Sequence, residues 1–215
     1  MTGCCRAADF HFDASKAARE LASYRRRGPT GTARLLLDLL GAVRARPATL
    51  LDVGAGIGVL HHELLERGVA TACHVEGASA YIAAAQAEAD RRGHAGRVAF
   101  LHGDAVELAR ELQPMDLVTL DRVVCCYPDC ESLLHATVPL ARRYYALSLP
   151  HDRWYMRAYT AWENRRRDRT GNPFRTFIHP PGRIRALLEE AGCRLLGRRL
   201  SLAWDVRLYE RPDPA

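Results

Sequence analysis

The sequence predicts an α/β fold in which a mostly parallel sheet, covered by helices on both faces, finishes on an antiparallel strand. Three observations carry this reading. Beyond Pro47, short apolar runs alternate with helical stretches, the rhythm of strands buried beneath crossover helices. The first of those runs enters a glycine-rich turn and leaves it as a helix, in Leu50-Leu51-Asp52-Val53-Gly54-Ala55-Gly56-Ile57-Gly58. Near the end, two strand-like runs over 193–200 and 202–209 are separated by almost nothing, which suggests a hairpin and so a reversed strand.

Residues 10–27 form a first helical stretch with Ala17, Leu21 and Tyr24 at helical spacing, broken by Gly28-Pro29. A second covers 32–46 and puts Leu35, Leu36, Leu39, Leu40 and Val43 on one face. Together they make an N-terminal helical cap, 1–46. Strands are expected at 49–53, 71–75, 98–101, 117–120 and 144–149, with helices at 59–67, 79–92, 105–111 and 131–140. The core of the sheet is thus 47–150. Segment 151–181 breaks the alternation, mixing Trp154, Tyr155, Tyr159, Trp162, Phe174 and Phe177 with charged side chains, and is read as a lid. A helix over 184–191 and the hairpin fill the remainder, 182–215. At 215 residues the whole is expected to be a single domain.

Composition narrows the class. With 48% hydrophobic and 26% charged residues and no run of eighteen uncharged apolar ones, the chain reads as globular, neither disordered nor membrane-spanning. Met1-Thr2-Gly3-Cys4-Cys5-Arg6 shows no secretory signal, and seven cysteines without a regular framework fit a reducing compartment; a cytoplasmic location is expected. The formal charge is +6, and of 31 basic residues all but Lys16 are Arg. Genome composition produces such a bias, and so does a need to grip carboxylates or phosphates.

The glycine-rich turn lets a ligand approach the backbone at the C-terminal edge of the sheet. Position 59 is Val, so the dinucleotide pattern Gly-x-Gly-x-x-Gly fails and the spacing is Gly-x-Gly-x-Gly. Asp52 sits poorly beside a pyrophosphate and suits a ligand bearing an ammonium and a sulfonium. Glu76 ends the second strand, where a carboxylate can accept both hydrogen bonds of a ribose diol. Asp104, in His102-Gly103-Asp104-Ala105, ends the third, where it can meet an adenine amino group.

On these residues, 49–121 resembles class I S-adenosylmethionine-dependent methyltransferases. The resemblance implies a Rossmann-like, seven-stranded sheet with a reversed final strand, in agreement with the hairpin. It also implies roles: Asp52, Gly54, Gly56 and Gly58 at the methionine end of S-adenosylmethionine, Glu76 on the ribose, Asp104 with Ala105 at the adenine, and Asp121 beside the cofactor. The run Asp121-Arg122-Val123-Val124-Cys125-Cys126-Tyr127-Pro128-Asp129, then Leu147-Ser148-Leu149-Pro150, then Phe177-Ile178-His179, is similar in order to magnesium-protoporphyrin O-methyltransferases, as is the helical N-terminal extension. Two departures fall at the reacting end: Cys126-Tyr127-Pro128 where that family tends to have His-Tyr-Pro, and Arg122 where it more often has an acid.

Methyl transfer from a sulfonium is an in-line displacement, so the protein supplies alignment and a water-poor site. A carboxylate acceptor needs no base, whereas a phenol or amine does. Tyr127 and His179, with Asp121 third, are the candidate bases. Arg122, Cys126, Tyr127, Trp154 and His179 are the candidate substrate contacts. The expected acceptor is a small or medium organic molecule, methylated on an oxygen, acidic and partly planar, with a magnesium-protoporphyrin-like tetrapyrrole as one candidate. Two alternatives stand beside it: a nucleic-acid methyltransferase, and a protein that binds S-adenosylmethionine without transfer. The clusters Arg25–Arg27, Arg142-Arg143 and Arg165–Arg169 raise the first of these, and nucleic acid is the less favoured partner because Asp129, Asp152 and Asp168 interrupt the basic field. The lid also has the make-up of a helix resting on a membrane surface. A monomer or a homodimer is expected.

Cys4-Cys5 and Cys125-Cys126 with Cys130 lack metal-site spacing, so no metal is expected; both pairs meet over the site mouth if the N-terminal helices cap it. His61-His62, opening the helix after the glycine loop, is read as a solvated helix turn.

Overall fold

The computed structural model describes residues 3–211, excepting the side chain of Cys4. Seven strands form one sheet in the order β3-β2-β1-β4-β5-β7-β6: β1 (Thr49–Val53), β2 (Thr71–Glu76), β3 (Val98–His102), β4 (Met115–Leu120), β5 (Ala141–Pro150), β6 (Arg194–Leu200) and β7 (Trp204–Glu210). Strands β1 to β5 pair in parallel, and β7 lies antiparallel between β5 and β6. Only β7 is therefore reversed, as expected. The chain builds outward from β1 to β3 on one side and restarts at β4 on the other. That switch opens a crevice at the C-terminal ends of β1 and β4, the usual ligand position in such sheets.

Alternation along each strand sends neighbours to opposite faces. Leu51, Val118, Tyr145 and Leu147 pack on one face with Leu133 and Leu134 of α7 (Cys130–Thr137) and Ile184 and Leu188 of α9 (Pro181–Glu190). Leu50, Leu117, Tyr144 and Leu208 pack on the other with Leu36 and Leu40 of α3 (Gly31–Gly41) and Leu64 of α4 (Val59–Glu66). Helix α5 (Ser79–Arg92) follows β2, and the four-residue α6 (Ala105–Leu108) follows β3. Edge strand β6 is largely exposed, with Arg194, Arg198 and Arg199 along it, charges that discourage pairing with another sheet edge.

Several boundaries differ from expectation. The first helical stretch is two helices, α1 (Gly3–His11) and α2 (Ala14–Arg27), because the Asp13 carboxylate accepts from Lys16 N–H at 2.8 Å and caps a new helix there. Helix α3 stops at Gly41, five residues early, and α6 ends at Leu108. Strand β5 begins at Ala141 rather than Tyr144, because Ala141 pairs with Met115 across a register shift. The lid contains a helix, α8 (Trp154–Arg169), followed by an extended segment, 172–180. No helix among the described residues is long and apolar enough to cross a membrane.

Candidate active site

The crevice at the end of β1 and β4 is the floor of a cavity of about 820 Å³, roofed by α2, α8 and the segment after α8. That volume is toward the upper end of small-molecule sites. The floor is the glycine loop. Gly54 has φ +59°, and a Cβ there would lie 2.5 Å from Val123 Cγ2, so neither backbone nor space admits a side chain. Gly58, at φ +84°, turns the chain into α4 with the His61 ring 2.3 Å from where its Cβ would be; it does not line the cavity.

Four carboxylates line the floor. Asp52 is paired in register with His74 on one side and Thr119 on the other. Its Oδ1 accepts from Thr119 Oγ1 at 2.7 Å, and its Oδ2 lies 3.4 Å from His61 Nδ1 without a hydrogen-bond partner among the described residues. Burial pushes its carboxyl up to about 6. Glu76 accepts Gly56 N–H and Ala78 N–H, each at 2.9 Å, so the acid itself holds the glycine loop; burial pushes it up as well. Asp104 caps α6 through Val106 N–H at 2.9 Å. Asp121, raised by burial, accepts from Ser148 Oγ at 2.6 Å.

The structure brings most of the expected residues together and leaves three outside. Asp52, Gly54, Gly56, Glu76, Asp104 and Ala105 line the cavity, as do Asp121, Arg122, Cys126 and Tyr127. The Tyr127 hydroxyl points back to Asp104, at 3.1 and 3.2 Å from its two oxygens. Besides Gly58, His179 and Trp154 lie outside the lining. His179 Nε2 is 2.9 Å from the Tyr127 carbonyl and so braces the backbone behind that residue. Trp154 is 81% exposed, because α8 turns Met156, Tyr159, Thr160, Glu163 and Arg167 inward and Trp154 falls on another face. That inward set recurs at helical spacing and was readable in the sequence as a stripe once the segment is taken as a helix.

Arg122 is the one described non-glycine residue with positive φ, +62°, and its guanidinium stands 5.2 Å over the Trp204 ring. No carboxylate among the described residues comes within 4 Å of it. Of the lid arginines only Arg167 faces the cavity, bound to Glu163 at 3.2 Å; Trp162, Arg165, Arg166 and Arg169 form a separate shallow group outside.

Sequence reasoning missed two features. Tyr81 flanks the glycine loop, 3.6 Å from the position of a Gly56 Cβ. The other corrects the solvated reading of His61-His62: both are fully buried, with His74 and His94 beside them. Ring centroids of His61 lie 4.2 Å from His62 and 5.2 Å from His74, and His62 Nδ1 is 3.2 Å from His94 Nδ1. Burial pulls His61, His62 and His74 each down to about 3, so all three are neutral at pH 7. The adjacency of two histidines at the first turn of the helix facing Asp52 was the available signal.

Cap and lid meet above the cavity. Phe174 stacks on His11 with centroids 4.5 Å apart and meets Phe12 edge-on at 5.0 Å, while Asn172 Nδ2 lies 2.9 Å from His11 Nδ1. Phe177 N–H donates to the Cys125 carbonyl at 2.7 Å, fastening the lid to the turn after β4. Cys5, Cys125 and Cys126 all line the cavity, as expected if the cap covers the mouth; Cys4 contributes a side chain outside the description.

Residues 50–142 match the methyltransferase domain family Methyltransf_25. No curated protein is significantly similar in sequence. Among solved structures, an O-methyltransferase family protein from Burkholderia thailandensis is 17% identical with a TM-score of 0.73, over 96% of this chain; this chain spans only 62% of that protein. Magnesium protoporphyrin IX methyltransferase from Synechocystis PCC 6803, solved with S-adenosylmethionine, is 16% identical with a TM-score of 0.70, over 98% of both chains. The [4+2]-cyclase SpnF is 12% identical with a TM-score of 0.70, over 99% of this chain and 98% of its own. The shared architecture is the Rossmann-like α/β methyltransferase fold.

Proposed function

We propose that this chain transfers a methyl group from S-adenosylmethionine to an oxygen of an acidic, partly planar organic molecule held beneath the lid. One observation carries the reading: four strand-end carboxylates line a single cavity together with Arg122 and the rings of Phe12, Tyr159, Phe177 and Trp204. The carboxylates fit the donor. Its sulfonium, when bound, supplies an electrophilic methyl group and leaves as a thioether. Asp52, in the cavity lining, offers its carboxylate charge to the ammonium, Glu76 has lone pairs for the ribose hydroxyls, and Asp104 faces the adenine side. Arg122 and the rings fit the acceptor, since a guanidinium without a carboxylate partner among the described residues receives an acid and ring faces receive a planar body.

An acceptor carboxylate is ionised at neutral pH and attacks without a base. For a phenol, Asp121 is the best placed of the candidate bases: it is in the wall, and burial has raised its proton affinity. The Tyr127 hydroxyl is engaged by Asp104, and His179, outside the lining, braces the Tyr127 backbone from behind, so both position the loop. The seam between Phe174 and His11 excludes water from the displacement. A magnesium-protoporphyrin-like tetrapyrrole remains one candidate, supported by the Synechocystis likeness over nearly the whole chain.

A second reading, a nucleic-acid acceptor, draws on the outer face of α8. There Arg166 stacks on Trp162 at 5.6 Å between Arg165 and Arg169. Labelled S-adenosylmethionine offered with porphyrins, hydroxylated aromatics, small acids and tRNA separates the readings. Label in a small acid, phenol or porphyrin supports the first, and label in tRNA alone replaces it with the second. The SpnF likeness makes the third outcome concrete: donor binding with no label in any acceptor identifies a fold used without transfer.

A further inference from the structure

We propose that Cys125 and Cys126 form a dithiol site in the cavity wall for a trivalent arsenical. Their sulfurs are 3.7 Å apart, and both residues line the cavity. Side chains of adjacent residues in an extended chain point to opposite sides. Here a turn of 3-10 helix, Val124–Cys126, follows the left-handed Arg122 and brings both sulfurs to one acceptor, the Arg122 carbonyl, at 3.4 and 3.2 Å.

The separation selects the ligand. With about 2.3 Å for a bond to thiolate, a linear centre would hold its sulfurs about 4.6 Å apart. A spacing of 3.7 Å instead requires a bent angle of about 107° at the bound atom on the same bond length. Tetrahedral zinc has such an angle but takes four ligands, twice what this pair supplies. A trivalent arsenical needs only the two sulfurs, and its third substituent, hydroxyl or organic, has the cavity to occupy. Soft thiolates match a soft centre.

Binding of arsenite, As(OH)3, balances without redox chemistry. Two As–S bonds form, two As–O bonds break, and the two thiol protons leave with the hydroxyls as two molecules of water while arsenic stays trivalent. The hydrogen bond between the two thiols and the Arg122 charge draw the Cys125 thiol down, which favours its proton as the first to leave. The same hydrogen bond pushes Cys126 up, and formation of the first As–S bond removes that hindrance. Nothing in this step calls on the methyl donor, so the site stands or falls apart from the transfer proposed above.

The test is titration of the reduced full-length protein with phenylarsine oxide and with arsenite, read by native mass spectrometry. One equivalent of each is expected, retained against excess glutathione and released by a small dithiol. Cys125→Ser and Cys126→Ser each remove the chelate and weaken binding by about 10²-fold or more, whereas Cys73→Ser and Cys193→Ser, which alter buried thiols outside the cavity lining, bind as before. Absence of a stoichiometric adduct overturns the proposal, as does an adduct that survives both substitutions or is lost in Cys5→Ser but kept in Cys125→Ser. Fragmentation of the adduct of the unsubstituted protein keeps the test decisive if a variant fails to fold: arsenic on 125–126 supports the site, and arsenic elsewhere refutes it.

Discussion

Asp52 stands between a hydroxyl that donates to it and a neutral imidazole whose Nδ1 lies 3.4 Å from its second oxygen. Its carboxyl, raised to about 6 by burial, is ionised at pH 7 and loses its charge as the pH falls through 6. An ammonium is attracted only to the ionised form, while the ligand's own amine loses its proton above about pH 8. Calorimetry with S-adenosylhomocysteine should therefore show affinity highest between those limits and falling tenfold per pH unit well below 6. Asp52→Asn should bind weakly with no inflection near 6; a wild-type profile flat from pH 7 to 5 would remove Asp52 from the donor site. Glu76 holds Gly56 and Ala78 N–H, and the ribose contact proposed for it would be a second duty. Glu76→Ala loses charged hydrogen bonds worth about 1.5–3 kcal/mol and should weaken S-adenosylhomocysteine by at least tenfold. Glu76→Gln keeps acceptors for the backbone and should recover folding stability more than affinity, and unchanged affinity in the Ala variant would sink the assignment.

The lid is the element held most lightly. Helix α8 has no buried residue; apart from the Tyr155 hydroxyl, which donates to the Leu202 carbonyl, its hold on the molecule runs mainly through the segment after it: Asn164 to Thr176, Phe177 to Cys125, Phe174 to His11 and Phe12. Few buried contacts mean a low free energy of local opening. Amides of 154–169 should exchange with solvent much faster than those of α3 and slow when S-adenosylhomocysteine and an acceptor are both present. Phe174→Ala removes the ring at the cap–lid seam, and its cost of about 3 kcal/mol or less should appear as faster exchange of α8 with β1 to β5 unchanged; equal slowing or speeding of sheet and lid would show that the lid does not open separately. The same difference explains what the sequence could disclose. Asp52, Glu76, Asp104 and Asp121 end strands, and a parallel sheet brings strand ends to one edge whatever packs above them, so their convergence was readable from the alternation alone. Trp154 and His179 lie on segments whose side-chain directions depend on a helix rotation and a loop path set by tertiary contacts. His61 and His62 looked polar enough for solvent, but α4 lies against β1 and β2, and their burial depends on that packing. Seven strands and the reversed β7 followed from periodicity and a short connection, whereas the break at Asp13 needed its capping bond.

Across the whole molecule, the buried histidines tie stability to pH. His61, His62 and His74 titrate near 6.5 in an unfolded chain and near 3 here, because burial disfavours their charged forms. Between those values the unfolded chain holds up to three more protons than the folded one. Stability from this source is therefore complete above pH 6.5 and lost as the pH falls toward 3. Asp52 acts in the opposite sense, since its folded value near 6 lies above its ordinary one, so the folded state holds one extra proton in the upper part of that window. Among these four groups the balance is about two protons, a slope of about 2.7 kcal/mol per pH unit between roughly pH 4 and 6; His11, drawn down to about 4, adds to it, while Glu76 and Asp121, raised by burial, subtract. That slope removes about 5 kcal/mol between roughly pH 6 and 4, so a domain at the low end of the usual range of about 5–15 kcal/mol is expected to unfold cooperatively as the pH nears 4. Urea midpoints measured from pH 7.5 to 4.5 should fall steeply below 6.5. His74→Phe, which keeps a ring among His61 and Phe100, removes one titrating group and should flatten the slope by about a third of the histidine contribution. A midpoint unchanged down to pH 5 would mean that the histidines are already charged in the folded state or reach water, and the dry packing around Asp52 on which the donor site is built would have to be abandoned with them.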